Sequence, residues 1–425
     1  MHDALDCLPA GAPTQVDLTD PGHLDLLVTR AESLLEELGS AERAAALDDR
    51  IGGDPDTPLF ARVASKLALS RLRLDEIHDP VHVSVVFAVY KEHIRLRPPT
   101  EHPLGEDALR EKLRQLRWLF GRTPRHTWDL TVVDDGCPES SGELAQAILK
   151  SELEPGEEGC VLWLRDAIET GAPIVSGLES TDDSQKGGSI RLGLWHAVQA
   201  SRDALHLALF TDADLSTHLG QIGLLVSPIA SAHSAAAIGS RREATSVVVK
   251  STGRDHRGKL FIYLWKRLLP ELRGITDTQC GFKAFESSHL RTWIDETRDS
   301  RFSFDLEALV RVRRTGAGVI TKVPIAWIDS EAASTTAEHA PYLPMLKSVL
   351  ALRAQDAPPS GPEATFARLI ERLDERSFDR LVLRAPSAIT ERDPAGFDEF
   401  ADIGADELAE AAGLQDSVSS PGTGL

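Results

Sequence analysis

A mostly parallel α/β sheet flanked by helices, carried by residues 80–335 between helical extensions at 1–79 and 336–425, is the architecture this sequence predicts. Three observations predict it. VHVSVVFAVY (81–90) and ALHLALFTDADL (204–215) are nearly unbroken apolar runs, as strands covered on both faces must be. Segments of helical spacing alternate with such runs. Two strands end in acid, WDLTVVDDG (128–136) and the TDAD of the second run, at the carboxyl ends where parallel sheets collect their ligands.

Taken in order, residues 1–79 open loosely and then turn helical, with Leu24, Leu27, Leu34, Leu35 and Leu38 close to one face. IGGDPDTP (51–58) is a turn-rich break before the packing helix LFARVASKLALSRLRL. After the first strand comes a polar insertion in which Leu109, Leu113, Leu116 and Phe120 recur at helical spacing. Ser140 and Glu143 read as a capping box for the helix LAQAILK. SIRLGLWHAVQ is helical, and AAAIGSRR (235–242) is a further strand. Past Trp327 the sheet signal ends. YLPMLKSVLALR (342–353) reads as a helix, RAQDAPPSGPE as a linker, ATFARLIERLDERSFDRLVL as one amphipathic helix, and DSVSSPGTGL as a disordered tail.

Composition narrows the function. The 425 residues are 42% hydrophobic and 26% charged, ordinary for a folded chain of two or three domains. A net charge of −20 repels phosphate backbones, which argues against a nucleic-acid partner. Four scattered cysteines (Cys7, Cys137, Cys160, Cys280) suggest neither a zinc ribbon nor a disulfide framework, and a cytoplasmic setting fits them. No apolar run reaches the about 18 residues that cross a bilayer, so no integral membrane segment is expected. HExxH, GxSxG, GxGxxG and Walker A patterns are all missing, which disfavours zinc proteases, α/β-hydrolases, dehydrogenases and P-loop enzymes.

The residues left to carry chemistry are acids at strand ends. Asp212 and Asp214 lie two apart, on one side if the strand extends through them, and suit a hard divalent cation completed by substrate phosphates. The bland alternative is a solvated turn. Asp134 and Asp135 would accept hydrogen bonds from a ligand or would merely cap a helix. In QKGGSIRLG, Lys186 and two glycines open a helix, an anion-attracting position that is also an ordinary loop.

In order over about 225 residues, SVVFAVYKEH, VVDDG, KGGSIRLG, TDAD, GSR, DTQCGFKAF and RFSFDLEALV resemble the family 2 glycosyltransferases of GT-A fold. The likeness is greatest to the polyprenyl- and dolichyl-phosphate sugar transferases, whose DTQCGFK stretch is nearly reproduced at 277–283. The resemblance implies Tyr90 as the stacking partner of the nucleotide base and Glu92 as a pocket acid. It places Asp134 and Asp135 on base and ribose, Lys186 on the nucleotide side, and Asp214 with Asp212 on Mg2+ or Mn2+. It puts Gln279 near donor sugar and acceptor, Cys280 in the interior, and Arg241, Arg254 and Arg257 on phosphate groups. Asp305 stands where the family keeps its catalytic carboxylate, with Glu307 as the alternate; on a helix the two diverge, and a helix-capping Asp305 stays open.

Ala88 and Lys91 replace the usual proline and asparagine of the first motif. The implied reaction is inverting, metal-dependent transfer from a UDP- or GDP-linked sugar to a hydroxyl- or phosphate-bearing acceptor. Lacking an anchor, the chain points to a soluble acceptor. The alternative is a polyprenyl phosphate, with YLPMLKSVLALR as a helix at the membrane interface. A non-catalytic nucleotide-sugar-binding homologue and a nucleotidyltransferase are further alternatives, and a homodimer is the assembly favoured.

Overall fold

The structure, a computed structural model, describes residues 15–200, 202–250, 255–316, 319–329, 341–355 and 358–414. The opening stretch at 1–14, Arg254 and the DSVSSPGTGL tail lie outside the described residues. In chain order the principal elements are α1 (Pro21–Leu38), α2 (Ala41–Ile51), α3 (Leu59–Asp75), β1 (Val81–Val89), α4 (Ala108–Phe120), β2 (Thr127–Asp134), α5 (Ser141–Glu152), β3 (Glu158–Trp163), α6 (Gly187–Gln199) and β4 (Leu205–Thr211). They continue with α7 (Ile222–Ala232), β5 (Ala236–Ser240), β6 (Val247–Val249), α8 (Asp255–Leu268), β7 (Phe282–Glu286), α9 (Phe304–Arg314), β8 (Ile320–Pro324) and β9 (Ala326–Ile328). The last four are α10 (Tyr342–Ala354), α11 (Gly361–Arg372), α12 (Glu375–Leu383) and α13 (Ala405–Ala411).

Contacts divide the chain into two units, residues 1–251 with 277–337 and residues 252–276 with 338–425. This differs from the division read from the sequence. Helices α1–α3 share one core with the sheet, through Leu27, Leu34, Val63 and Leu67 among others, so they group with it. Helix α8 groups instead with the C-terminal helices.

The first unit holds a seven-stranded sheet in the order β3-β2-β1-β4-β7-β5-β8, with β6 and β9 as a separate parallel pair. All its pairings are parallel except those of β7, which runs antiparallel to β4 and β5. Register fixes the site. Val89 lies opposite Asp134 and Val86 opposite Phe210, so the acid-tipped ends of β2 and β4 flank the end of β1. Thr211 faces Phe282 across the antiparallel pair, which brings the start of β7 to the same edge. Helix α6 packs closely on the sheet because residue 193 is glycine: a Cβ there would come within 2.2 Å of Val86.

In the second unit the apolar residues of α8, including Phe261, Tyr263, Leu264 and Trp265, are buried all round. Its polar side chains hold the C-terminal segment: Arg257 donates to Asp379 at 2.8 Å, Lys266 to Asp398 at 2.7 Å, and the Tyr263 hydroxyl to the Ile403 carbonyl at 2.6 Å. Helix α10 also buries Leu343, Leu346 and Val349. The apolar face of YLPMLKSVLALR is thus packed inside this unit, while Pro344, Lys347, Ala351 and Ala354 form the exposed stripe of the helix.

Two local readings are corrected. Ser140 adopts a left-handed conformation (φ 55°) and its hydroxyl caps nothing, so the capping box with Glu143 does not form. The stretch read as one helix at 364–383 is two, because the Asp374 carboxylate accepts the Ser377 N–H and starts α12 afresh. Strands β3, β7 and β8 escaped the sequence reading because they are short and carry charged residues.

At the amino-terminal half of the sheet, Ser84 on β1 donates to Asp129 on β2 at 2.8 Å and meets His206 Nε2 on β4 at 2.9 Å. Burial, with His82 beside it, pushes the His206 imidazole down to about 4. Unfolding returns it to about 6.5. Its contribution to stability is therefore full above pH 6.5 and is lost as pH falls toward 4. His206→Gln, which keeps a donor for Ser84 but cannot take a proton, should lose about 2 kcal/mol less than the wild type between pH 7 and pH 5, measured by urea unfolding at each pH.

Candidate active site

Strand β4 ends at Thr211, so Asp212–Ala213–Asp214 form a turn beyond it and the alternation of a strand does not set their direction. The antiparallel register does: Asp212 lies beside Gly281, where a Cβ would sit 2.3–2.5 Å from the Asp212 carboxylate. Only glycine at 281 leaves room for that acid.

Asp212 is ion-paired with Lys186, and their side chains are 35% and 31% exposed, so the pair opens toward solvent. Burial alone would raise the Asp212 carboxyl; Lys186, with Lys283 and Arg241, holds it below the usual carboxylate range. Lys186 in turn stays above the ordinary lysine value against its burial, through Asp212 and Asp305. Asp214 behaves oppositely. Burial and the neighbouring Asp212 charge raise it, although Lys112 and Arg95 pull the other way. Its Oδ1 accepts the Ser216 N–H at 3.0 Å.

The two acids of VVDDG bond mainly to backbone amides. Asp134 accepts the N–H groups of Gly136, Cys137 and Gly142, each at 2.9 Å, and thereby does the capping expected of Ser140. Asp135 accepts the Lys186 N–H at 2.9 Å and the Ser189 hydroxyl at 2.6 Å, which starts α6. The Ser300 carbonyl takes the N–H groups of Gln185 and Gly188 at 2.9 Å. The start of α6 is thus largely occupied by protein, and Lys186 enters the site through its ammonium. Both carboxylates thus make helix-starting bonds, the alternative weighed for them beside ligand contact.

Asp305, in the first turn of α9, is ion-paired with Lys283 of β7, whose side chain has no exposure and whose Nζ also donates to the Cys280 carbonyl at 2.5 Å. Glu307 diverges from it as helical geometry requires: its carboxylate accepts the N–H groups of Arg298 and Asp299 and pairs with Arg311 at 3.1 Å. That makes Glu307 a clamp on the preceding loop. Cys280 is buried, and burial pushes its thiol up to about 12.

Around this centre, Tyr90 stands 45% exposed just beyond β1 with the Lys91 ammonium 5.4 Å from its ring. Glu92 is buried and ion-paired with Arg95, which also reaches Glu106 at 3.1 Å. Arg241 is held bidentately by Asp277, at 2.8 and 2.7 Å, over the Trp327 ring. The Gln279 amide nitrogen is buried without a partner. Arg257 belongs to the second unit, where Asp379 holds it, and Arg254 lies outside the described residues. Sequence reasoning missed Lys112, Lys283 and Asp277. A lysine inside the apolar stripe of α4, and another inside a strand, were the available signals.

No group of three or more His, Cys, Asp or Glu ligands is assembled among the described residues. The donor set still fits a hard divalent cation. Asp212 and Asp214 supply carboxylate oxygens, their mutual repulsion is what a cation relieves, and phosphates and water would complete its shell.

The Lys283 pair sets a test. Lys283→Met strands the Asp305 charge in the interior and should cost about 3–5 kcal/mol in urea unfolding, whereas adding Asp305→Leu should recover most of that loss.

No protein-family model matches the chain. Among curated proteins it is 27% identical over 261 residues to the dolichyl-phosphate beta-glucosyltransferase ALG5D of Trichomonas vaginalis, covering 59% of this chain and 67% of that one. It is 26% identical over 280 residues to the dolichyl-phosphate beta-glucosyltransferase of Homo sapiens, covering 64% and 74%. Glycosyltransferase AglD of Haloferax volcanii is 25% identical over 248 residues, 58% of this chain but only 33% of its own length. Among solved structures, glucosyl-3-phosphoglycerate synthase from Mycobacterium tuberculosis, in complex with Mn2+, UDP and phosphoglyceric acid, matches with a TM-score of 0.42 at 14% identity, over 70% of this chain and 84% of that one. The mostly parallel sheet with flanking helices is the one the GT-A resemblance implied, and the homologues of this chain are glycosyltransferases.

Proposed function

We propose that this protein transfers a hexosyl group from a nucleotide-diphosphate sugar to a phosphate-bearing acceptor, a polyprenyl phosphate being the class that best suits it. The observation that carries the reading is the contiguous line of charge Asp214, Asp212, Lys186, Asp305 and Lys283 at the carboxyl edge of the sheet. Mg2+ or Mn2+, held by Asp214 and Asp212, would neutralise the departing diphosphate. Lys186, a third exposed, adds a fixed positive charge on the same side, and Tyr90 offers a ring for the base. Gln279 within Asp277–Lys283, and Arg241 bonded to Asp277, would serve the sugar and acceptor end.

The acceptor follows from the acid that was to be the base. A hydroxyl acceptor needs a free carboxylate to take its proton, but Asp305 is bonded to a fully buried ammonium. A phosphate oxygen is already anionic and attacks the anomeric carbon with no proton to lose, while the bond from that carbon to the diphosphate breaks. Asp305 then serves by neutralising Lys283. The dolichyl-phosphate names of the relatives support the same acceptor class, so the lipid-phosphate reading displaces the soluble acceptor that the sequence first suggested. No helix of the described residues is long and apolar enough to cross a membrane.

Incubation with UDP-glucose or GDP-mannose and Mn2+ should yield a glycosylated polyprenyl phosphate in detergent, with free UDP or GDP as the coproduct; transfer to soluble hydroxyl compounds alone would reject the acceptor assignment. Asp214→Asn should lower kcat/KM at least about 100-fold. Gly281→Ala, whose methyl collides with the Asp212 carboxylate, should lose at least about 10-fold with an unchanged far-UV spectrum.

A further inference from the structure

Lys112 has no part in the reaction just described, yet it is fully buried on α4, among Leu109, Leu113 and Leu116 of the helix's apolar stripe. Removing an ammonium from water costs several kcal/mol, and a methionine would fill the same space without that cost. What the lysine does there is specific. Its Nζ donates to the backbone carbonyl of Asp214 at 2.7 Å and lies 5.4 Å from the Phe87 ring on β1. The Asp214 side chain, for its part, accepts the Ser216 N–H. The paired ladder of β4 with β7 ends at Thr211, and beyond it the Lys112 ammonium bonds the turn from α4 while the Ser216 amide bonds the Asp214 side chain within the turn.

We propose that Lys112 is a positioning residue for the cation site, holding the Asp214 carbonyl so that the turn presents the Asp212 and Asp214 carboxylates to one ion. The inference rests on the reading of those two acids as cation ligands and adds the element that aims them.

Charge and position predict opposite results. If Lys112 acted only as a nearby positive charge, removing it would tighten cation binding. If it positions the turn, removing it weakens binding. Mn2+ is titrated into the full-length protein in the presence of UDP, bound and free ion being separated by electron paramagnetic resonance, with thermal unfolding measured in parallel. Lys112→Met should weaken Mn2+ at least about 10-fold with little change in Tm, and Lys112→Gln, which keeps an N–H donor without the charge, should recover part of the loss. Binding by Lys112→Met that is unchanged or tighter overturns the proposal. Should Lys112→Met fail to fold, Lys112→Gln decides between the two: a modest weakening supports positioning, and unchanged or tighter binding overturns it. A wild type that binds Mn2+ and UDP but transfers no sugar would sink the proposed reaction and leave this inference standing, while a wild type that binds no Mn2+ would sink the inference.

Discussion

Charge compensation at the carboxyl edge of the sheet is the constraint on which the site depends. Asp212 and Asp305 come from different elements, a turn after β4 and the first turn of α9, and each is paired with its own lysine. Lys186 interacts with both acids, which links the two pairs. Buried charges persist only where partners and hydrogen bonds satisfy them, so the backbone around the buried Lys283–Asp305 pair has little freedom to differ. Glycine at 281 and the antiparallel course of β7 are consequences of that arrangement as much as causes.

A second level of order lies beneath the first. Asp134 and Asp135 end one strand and start two helices, so the junctions of β2 with α5 and with α6 are set by carboxylates bonded to main-chain amides. Such caps are worth roughly 0.5–2 kcal/mol each. Here they also fix where Lys186 stands, because the residue whose N–H Asp135 accepts is the one whose ammonium meets Asp212.

The sheet and its acid-tipped ends were legible in the sequence, since VHVSVVFAVY and ALHLALF carry the continuous apolar signature of strands covered on both sides. The roles within the site were less so. Nothing in VVDDG distinguishes an acid that meets a ligand from one that caps, and the difference emerges only when Gly142 and Ser189 arrive from other elements. Lys283 was passed over because β7, short and charged, was not read as a strand, and its partner Asp305 is 22 residues away. The membership of α8 was hidden for a similar reason: its covering helices begin only at Tyr342.

That separation has a cost in time. A ribosome adding roughly 5–20 residues per second finishes α8 several seconds before it delivers α10, and the last covering helix, α13, comes later still. Throughout that interval Phe261, Leu264 and Trp265 belong to a nascent helix with nothing yet made to shelter them. Until α10–α13 are made, that apolar stretch lacks the helices that bury it in the finished unit.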